Sequence, residues 1–115
     1  MVAGNRRRAF RRTAASGPRS VTVFWRDAAR ADIARLTRFI ATENPVAAQQ
    51  VARELVLAGD SLVVFPHRGR HGRLSGTREL VAYRPYILVY RVNGNGDVTI
   101  VRVWHGAQSR ADAHS

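Results

Sequence analysis

The sequence contains no cysteine, which excludes disulfide bonds and thiolate-bound metals as sources of stability. It also contains no lysine, so every one of its 19 basic side chains is an arginine. No apolar run approaches the roughly 20 residues that a membrane-spanning helix needs, and residues 1–20 lack the apolar stretch of a signal peptide. These absences indicate a cytoplasmic protein that makes no use of a membrane.

The sequence motifs of the large enzyme classes are absent as well. There is no P-loop, no dinucleotide fingerprint, no His-Glu-x-x-His zinc motif and no nucleophile elbow. The eight acidic residues are scattered along the chain, so no pair of carboxylates is evident for general acid and base catalysis. We therefore expect no cofactor, and the sequence does not favour an enzyme.

Two histidines, His67 and His71, stand four residues apart, a spacing that can bind a metal when it falls on a helix. The neighbouring Pro66, Gly69 and Gly72 argue against a helix, and no third ligand is evident. We expect no metal, and we interpret this segment as a solvated basic loop.

The formal net charge of +11 has two sources. Residues 1–20 contain six arginines and no acid, so the other five positive charges belong to residues 21–115. A basic protein suggests an acidic partner, either nucleic acid or an acidic protein segment, and a solvated basic surface is the simpler alternative. We predict that residues 1–20 form a disordered tail, which is either a nucleic-acid-binding arm or the product of a misassigned start site.

The second half of the chain predicts a three-stranded antiparallel meander. Its strands are expected at Thr77–Tyr83, Tyr86–Val92 and Val98–His105, because β-branched and aromatic residues dominate all three. Arg84-Pro85 and Asn93–Asp97 separate them, with Pro85 in the bend or at a strand start and Asn-Gly forming a tight or bulged hairpin. In the last two strands apolar side chains point to both faces, so both faces of these strands should be covered.

The first half should supply a helical hairpin that packs on this sheet. A short strand at Val21–Trp25 is followed by an amphipathic helix at Ala28–Thr42, for which Asp27 is the predicted N-cap. Asn44-Pro45 then begins a second helix, which is expected from Val46 to about Val64.

Gly59 weakens the second helix and predicts a kink or an early end. The predicted order β-α-α-β-β-β defines an α+β fold, in which a short N-terminal strand and an antiparallel helical hairpin pack on a small antiparallel sheet.

Basic and aromatic side chains interleave on or beside the last three strands, together with the acidic Glu79. They are Arg78, Tyr83, Arg84, Tyr86, Tyr90, Arg91, Arg102, Trp104 and His105. Such a set can bind and cut RNA, because arginine holds phosphate and histidine transfers a proton. It can equally form a protein-binding face, since tyrosine, tryptophan and arginine are common anchor residues.

Plainer interpretations of these residues stay open. Arg78 and Glu79 are expected to form a cross-strand ion pair on an exposed face, which adds little stability. His105 at a strand end can be satisfied by backbone groups rather than act in catalysis. Tyr86 and Tyr90 share a strand face and belong first to the core and second to a contact surface.

Several segments, in this order and spacing, resemble the toxins of the ParE/RelE superfamily of bacterial type II toxin–antitoxin systems. They are Asn44-Pro45, Pro66-x-x-Gly69, Gly76–Leu80, Tyr86–Arg91 and Ile100–Ala107. The resemblance covers about residues 21–109, which we assign to one toxin domain followed by a C-terminal tail at residues 110–115. It implies a helical hairpin against a small sheet, and a ParD-like antitoxin whose acidic C-terminal segment wraps the toxin.

The superfamily divides by target, and the residues here depart from one branch. RelE-like members cleave mRNA in the ribosome and place two basic residues two apart before the Tyr-x-Leu-Val-Tyr strand, with an arginine after its first tyrosine. Arg78 fits the first position, but Leu80 and Ile87 occupy the other two, and no tyrosine follows Tyr90. We therefore favour the ParE-like branch, whose members inhibit DNA gyrase by binding.

The resemblance implies three alternatives for the residues that act. In a gyrase inhibitor, the surface for target and antitoxin comprises Arg78, Glu79, Tyr86, Tyr90, Arg91, Arg102, Trp104 and His105. In a ribosome-dependent mRNA endonuclease, the catalytic set is Arg78, Arg84, Arg102 and His105. The third alternative is a chain that has lost toxicity and only binds its antitoxin.

Overall fold

A computed structural model describes Arg12, Thr13 and residues 21–106. The strands are β1 (Arg12–Thr13), β2 (Thr22–Trp25), β3 (Arg70–His71), β4 (Arg78–Tyr83), β5 (Tyr86–Val92) and β6 (Val98–His105). The helices are α1 (Asp27–Ala41) and α2 (Pro45–Ser61). The sheet order is β1-β2-β6-β5-β4-β3, so the predicted α+β fold is confirmed. Apart from Arg12 and Thr13, the predicted tails at 1–20 and 110–115 lie outside the described residues.

The three long strands and their two turns follow the prediction. Pro85 lies in the bend between β4 and β5, after a cis Arg84-Pro85 bond, and Tyr83 pairs with Tyr86 across it. The second loop spans Asn93–Asp97, where Gly96 adopts a φ of 95° that L side chains rarely adopt. The Asn93 N–H donates to the Asp97 carbonyl at 2.7 Å and closes the loop.

The sheet is mixed, because β2 runs parallel to β6 while the meander is antiparallel. Strand propensity alone carries no information on direction, so the sequence pattern did not reveal this parallel pair. The register of β6 also shifts: Val89 pairs with Arg102 and Tyr90 with Ile100, which leaves Val101 as the extra residue of a bulge.

The helix starts were predicted with mixed success. Asn44 caps α2 as expected, since its side chain accepts from the Ala47 N–H at 3.0 Å. The assignment of Asp27 as the N-cap of α1 was wrong, because Arg26 holds the cap position and Asp27 is the first helical residue. The Asp27 carboxylate instead accepts from Arg30 at 3.3 Å, one turn further along.

Burial on both faces of the last two strands is confirmed. One face packs against the helical hairpin, and its buried cluster consists of Val23, Trp25, Ala29, Val51, Leu55, Leu62, Leu80, Leu88, Tyr90, Val98, Ile100 and Val103. On β5, Leu88 and Tyr90 of this cluster alternate with Ile87 and Val89, which are buried as well. No helix among the described residues is long and apolar enough to cross a membrane.

Helix α2 ends at Ser61, earlier than Val64, yet Gly59 stands within the helix. It is buried, and a Cβ at this position would overlap the indole ring of Trp25. The glycine is therefore needed for the close approach of α2 to β2.

We predict that Gly59→Ala lowers the free energy of unfolding by about 1–3 kcal/mol, the usual cost of overpacking a core. Alanine in a helix is intrinsically favoured over glycine by about 1 kcal/mol, so a net loss measures the steric conflict with Trp25. Urea unfolding measures the change, and Gly94→Ala is the matched control because a Cβ there meets open space. A Gly59→Ala protein as stable as the wild type contradicts this packing.

Candidate functional site: a groove between the first helix and the ends of the last two strands

The side chains that the sequence singled out divide between the two ends of the sheet. Tyr86 of β5 pairs with His105 of β6, whereas Tyr90 of β5 pairs with Arg78 of β4. Four residues separate the two pairs along β5, which is about 13 Å at about 3.3 Å per residue. The predicted residues therefore do not form one cluster.

At the first of these ends a groove of about 390 Å³ opens between α1 and the strands. We call it the α1 groove, and its lining residues are Asp32, Arg35, Leu36, Phe39, Tyr86, Arg102, Val103 and His105. Three of them, Tyr86, Arg102 and His105, were predicted from the sequence.

The floor of the α1 groove is fixed by the buried carboxylate of Asp32 on α1. It accepts from Arg102 Nε at 2.8 Å and from Arg102 Nη2 at 2.9 Å, a bidentate ion pair. It also accepts the Val103 backbone N–H at 2.9 Å and Arg35 Nη2 at 3.1 Å. One carboxylate thus joins the helix to β6.

The topology of the sheet explains why Asp32 is needed at this place. Strand β2 pairs with β6 only as far as Ile100, and the last bond on that side runs from the Arg26 N–H to the Ile100 carbonyl at 3.0 Å. Beyond this point the chain has turned into α1, so no strand of the described residues covers the edge of β6. The Asp32 carboxylate supplies the acceptor that a neighbouring strand would otherwise give to Val103.

The Asp32 pKa reflects opposing effects. Burial raises the pKa, but the hydrogen bonds from Arg102 and Val103 and the charges of Arg102 and Arg35 outweigh burial and hold it below the ordinary value of 3.8. The carboxylate therefore stays ionised at neutral pH.

The rim of the α1 groove is aromatic and basic. The rings of Tyr86 and His105 meet edge to face with centroids 5.7 Å apart. Phe39 is 77% exposed although it is a large apolar side chain, and the Arg35 side chain is 60% exposed. Such a surface can bind an apolar side chain together with an anionic group.

At the other end of the sheet, Tyr90 and Arg78 hold the loop that precedes β3. The Tyr90 hydroxyl donates to the Pro66 carbonyl at 2.7 Å and accepts the Gly69 N–H at 2.9 Å. Arg78 Nη1 donates to the carbonyls of Gly69 at 2.8 Å and His67 at 3.2 Å. Burial raises the pKa of Tyr90, although the Gly69 hydrogen bond and the nearby arginines oppose this rise.

The expected exposed ion pair between Arg78 and Glu79 was wrong. The two side chains project to opposite faces of β4, and Glu79 is only 2% exposed. Glu79 accepts from Arg70 Nη2 and from the Arg73 backbone N–H, both at 3.0 Å. It anchors the turn between β3 and β4 rather than a surface pair.

Three members of the predicted contact surface are corrected by their burial. Tyr90, Glu79 and Trp104 are 0%, 2% and 4% exposed, so they cannot meet a partner in this fold. Arg84 and Arg91 are exposed, and Tyr86 and Arg102 are half-buried. The remaining assignments, to Arg78, Tyr86, Arg91, Arg102 and His105, stay predictions.

Sequence reasoning missed Asp32, Arg35 and Phe39. Asp32 lies three residues after Ala29 and one before Ile33, on the apolar side of the helix. A charged residue within an apolar stripe was the available signal that it has a buried partner. Among the described residues no group of three or more His, Asp or Glu side chains is placed to hold a metal.

Comparison with known proteins assigns the chain to a family. Residues 23–110 match the family of ParE toxins of type II toxin–antitoxin systems, parDE. The chain belongs to the ParE toxin family. The resemblance seen in the sequence is thereby confirmed, and this ParE-family chain is a type II toxin of the ParE/RelE superfamily.

Individual relatives agree with the family. The chain is 41% identical to Toxin RelE2 of Caulobacter vibrioides over 86 residues, which cover 75% of this chain and 96% of that protein. It is 42% identical over 71 residues to the putative toxin Y4kP of Sinorhizobium fredii, covering 61% of this chain and 72% of that protein. The names of these relatives and of the family come from both branches of the superfamily, so they do not decide the target.

A solved structure of the chromosomal ParDE toxin–antitoxin system from P. aeruginosa has the same fold. It aligns with a TM-score of 0.64 and 24% sequence identity, over 72% of this chain and 92% of that one. At this identity the comparison supports the fold alone.

We predict that Asp32→Asn lowers the free energy of unfolding by about 2–3 kcal/mol, because Arg102 loses the anion that it faces. The pH dependence should change too. The folded pKa of Asp32 lies below 3.8, so its contribution is present above that value and is lost as the pH falls through the folded pKa. Urea unfolding between about pH 7 and pH 3 should therefore show a weaker acid dependence in the variant.

Asp27→Asn is the matched control for this experiment, because Asp27 is an exposed aspartate in the same helix. It should lower the stability at neutral pH much less than Asp32→Asn does, because the Asp27 carboxylate is fully exposed and accepts from Arg30 one turn away. Equal effects of the two substitutions would contradict the role given to the buried carboxylate.

Proposed function

We propose that this chain is the toxin of a type II toxin–antitoxin pair and inhibits DNA gyrase by binding rather than by catalysis. The supporting observation is the environment of two positions at which RelE-like toxins carry basic residues. Leu80 and Ile87 stand there, and they are only 8% and 6% exposed within the sheet. Their replacement by apolar residues is therefore part of the packing and not a surface variation.

The arrangement of the remaining candidate catalytic residues also favours a binding function. The Arg78 guanidinium donates to backbone carbonyls of a loop, and the Arg102 guanidinium is paired with Asp32. Arg78 and His105 lie at opposite ends of the sheet. Cleavage of RNA needs a phosphate-holding cation and a proton-transferring group within reach of one phosphodiester. Arg78 and His105 do not meet that condition, and Arg102, which shares the α1 groove with His105, already donates two hydrogen bonds to Asp32.

The α1 groove is the surface on which we place the contact with gyrase. Aromatic and arginine side chains dominate the energetics of protein interfaces, and Phe39, Arg35 and Tyr86 lie together on its rim. Burial of the exposed Phe39 ring against an apolar side chain of the partner would stabilise the complex.

The partner that neutralises the toxin is a ParD-like antitoxin with an acidic C-terminal segment. The membership in the parDE family and the excess of arginine over acidic residues on the sheet both favour such a partner. Toxin, antitoxin and gyrase would then meet in the cytoplasm.

We predict that Phe39→Ala weakens the inhibition of gyrase supercoiling at least about tenfold, as expected for an interface anchor. The measurement is the toxin concentration that halves supercoiling by purified gyrase with ATP. The control is Leu57→Ala on α2, since Leu57 is also exposed but does not line the α1 groove. Equal potency of the two variants would mean that the α1 groove does not contact gyrase.

The alternative function, ribosome-dependent cleavage of mRNA, gives a different pattern. In that case folded toxin leaves supercoiling unchanged, and His105→Gln abolishes mRNA cleavage on ribosomes. His105 is the suitable position for this test because it is exposed, whereas the loss of Arg102 would also disrupt its pair with Asp32.

A further inference from the structure

The net positive charge of residues 21–106 is concentrated in the second half of this segment. Residues 21–63, which hold β2 and the helical hairpin, contain five arginines and five acids. Residues 64–106 contain seven arginines and only two acids. The helical hairpin is thus electrically neutral, and the net charge of +5 belongs to the loop and sheet that follow it.

Within this half the charge is densest in the loop between α2 and β4. Three arginines and two histidines occur within seven positions, and all five are exposed: His67, Arg68, Arg70, His71 and Arg73. We call residues 67–73 the basic loop. Glu79 of β4 is buried beneath the loop and accepts from Arg70 and from the Arg73 backbone.

The basic loop is held in one conformation by groups of the sheet below it. The Tyr90 hydroxyl and the Arg78 guanidinium bind its backbone between Pro66 and Gly69. A Cβ at Gly69 would collide with the Tyr90 ring and with the Glu79 carbonyl, so the loop lies directly on the strands. A loop fixed in this way loses little conformational entropy when it binds a ligand.

These observations point to a particular ligand. Guanidinium groups bind phosphate oxygens with two hydrogen bonds, and a basic patch confined to one side of a domain is typical of proteins that contact a nucleic-acid backbone. We propose that the basic loop is a docking surface for the phosphate backbone of duplex DNA, separate from the α1 groove. The proposal does not require gyrase, although on a gyrase–DNA complex the loop would let the toxin contact the bound DNA.

Exposed apolar side chains flank the basic loop, and they would suit a ligand other than DNA. Val64, Phe65 and Leu74 flank it and are 67%, 63% and 43% exposed. An acidic peptide with apolar residues would use both kinds of side chain. Duplex DNA is favoured because its phosphates repeat every few ångströms along the backbone, which suits three exposed arginines within six residues. Among the described residues Arg68 pairs with no carboxylate and donates to the hydroxyl of Ser61 at 2.8 Å.

The test is the binding of the full-length chain to a short labelled DNA duplex, measured by fluorescence anisotropy over a range of salt concentrations. Each phosphate contact contributes about 0.9 to the slope of log affinity against log salt. The double variant Arg68→Gln, Arg73→Gln should reduce this slope by about 2. Both substitutions leave Glu79 its hydrogen bonds from Arg70 and from the Arg73 backbone, although Arg73→Gln removes the 3.8 Å ion pair between the Arg73 guanidinium and Glu79.

The matched control is Arg38→Gln, Arg53→Gln, which removes two exposed arginines from the neutral helical hairpin. The arginine-rich residues 1–20 are the same in both proteins, so their contribution cancels in the comparison. Coincident thermal melts of the variants and the wild type establish that both are folded.

The expected result is a reduced slope for the loop variant and an unchanged slope for the control. Equal losses in both variants would mean that only total charge matters, and this overturns the proposal. Unchanged DNA binding in the loop variant, with weakened binding of labelled polyglutamate, overturns it in favour of an acidic peptide. Because gyrase is absent from the assay, failure here is distinguishable from failure of the proposed gyrase inhibition.

Discussion

The structure depends on one buried carboxylate at the edge of its sheet. Strand β6 is longer than its parallel neighbour β2, so its outer edge past Ile100 would expose unpaired backbone groups. Asp32 covers this edge from α1 and binds both the Val103 N–H and the Arg102 guanidinium. A charge buried without partners would destabilise the fold strongly, whereas this charge has four donor groups around it. The same contact sets the distance between α1 and the sheet, and thereby shapes the α1 groove.

Similar residues have different roles at the two ends of the sheet. At one end Arg102 and Tyr86 border an open groove with an exposed phenylalanine. At the other end Arg78 and Tyr90 turn their polar groups towards the backbone of a loop and hold it. Arginine and tyrosine side chains thus line an open surface at one end of the sheet. At the other end, where a loop covers them, they hold the backbone of that loop. This division explains why the basic residues that resemble a nuclease site in the sequence converge only in part: Arg102 and His105 share the α1 groove, whereas Arg78 lies at the other end of the sheet.

The local features of the fold were predictable, because short-range rules determine them. The strands β5 and β6, the bend at Pro85 and the cap at Asn44 follow from propensity and turn chemistry within a few residues. The contacts that shape the α1 groove and hold the basic loop join residues far apart in the chain. Asp32 with Arg102 is the example at the groove, and Pro66 with Tyr90 is the example at the loop. No periodicity encodes these partners. The sequence therefore predicts which residues are unusual, such as an acid on an apolar helix face, but not where each one finds its partner.

We propose that this ParE-family toxin acts on gyrase as a binding inhibitor. The proposal is tested by titrating purified toxin into gyrase with ATP and relaxed plasmid, and by recording the ratio of toxin to gyrase at half inhibition. Because a binding inhibitor must occupy its target, we expect inhibition to saturate near a stoichiometric ratio. Full supercoiling in the presence of excess folded toxin, together with loss of mRNA on ribosomes at ratios far below one toxin per ribosome, would contradict the proposed gyrase inhibition.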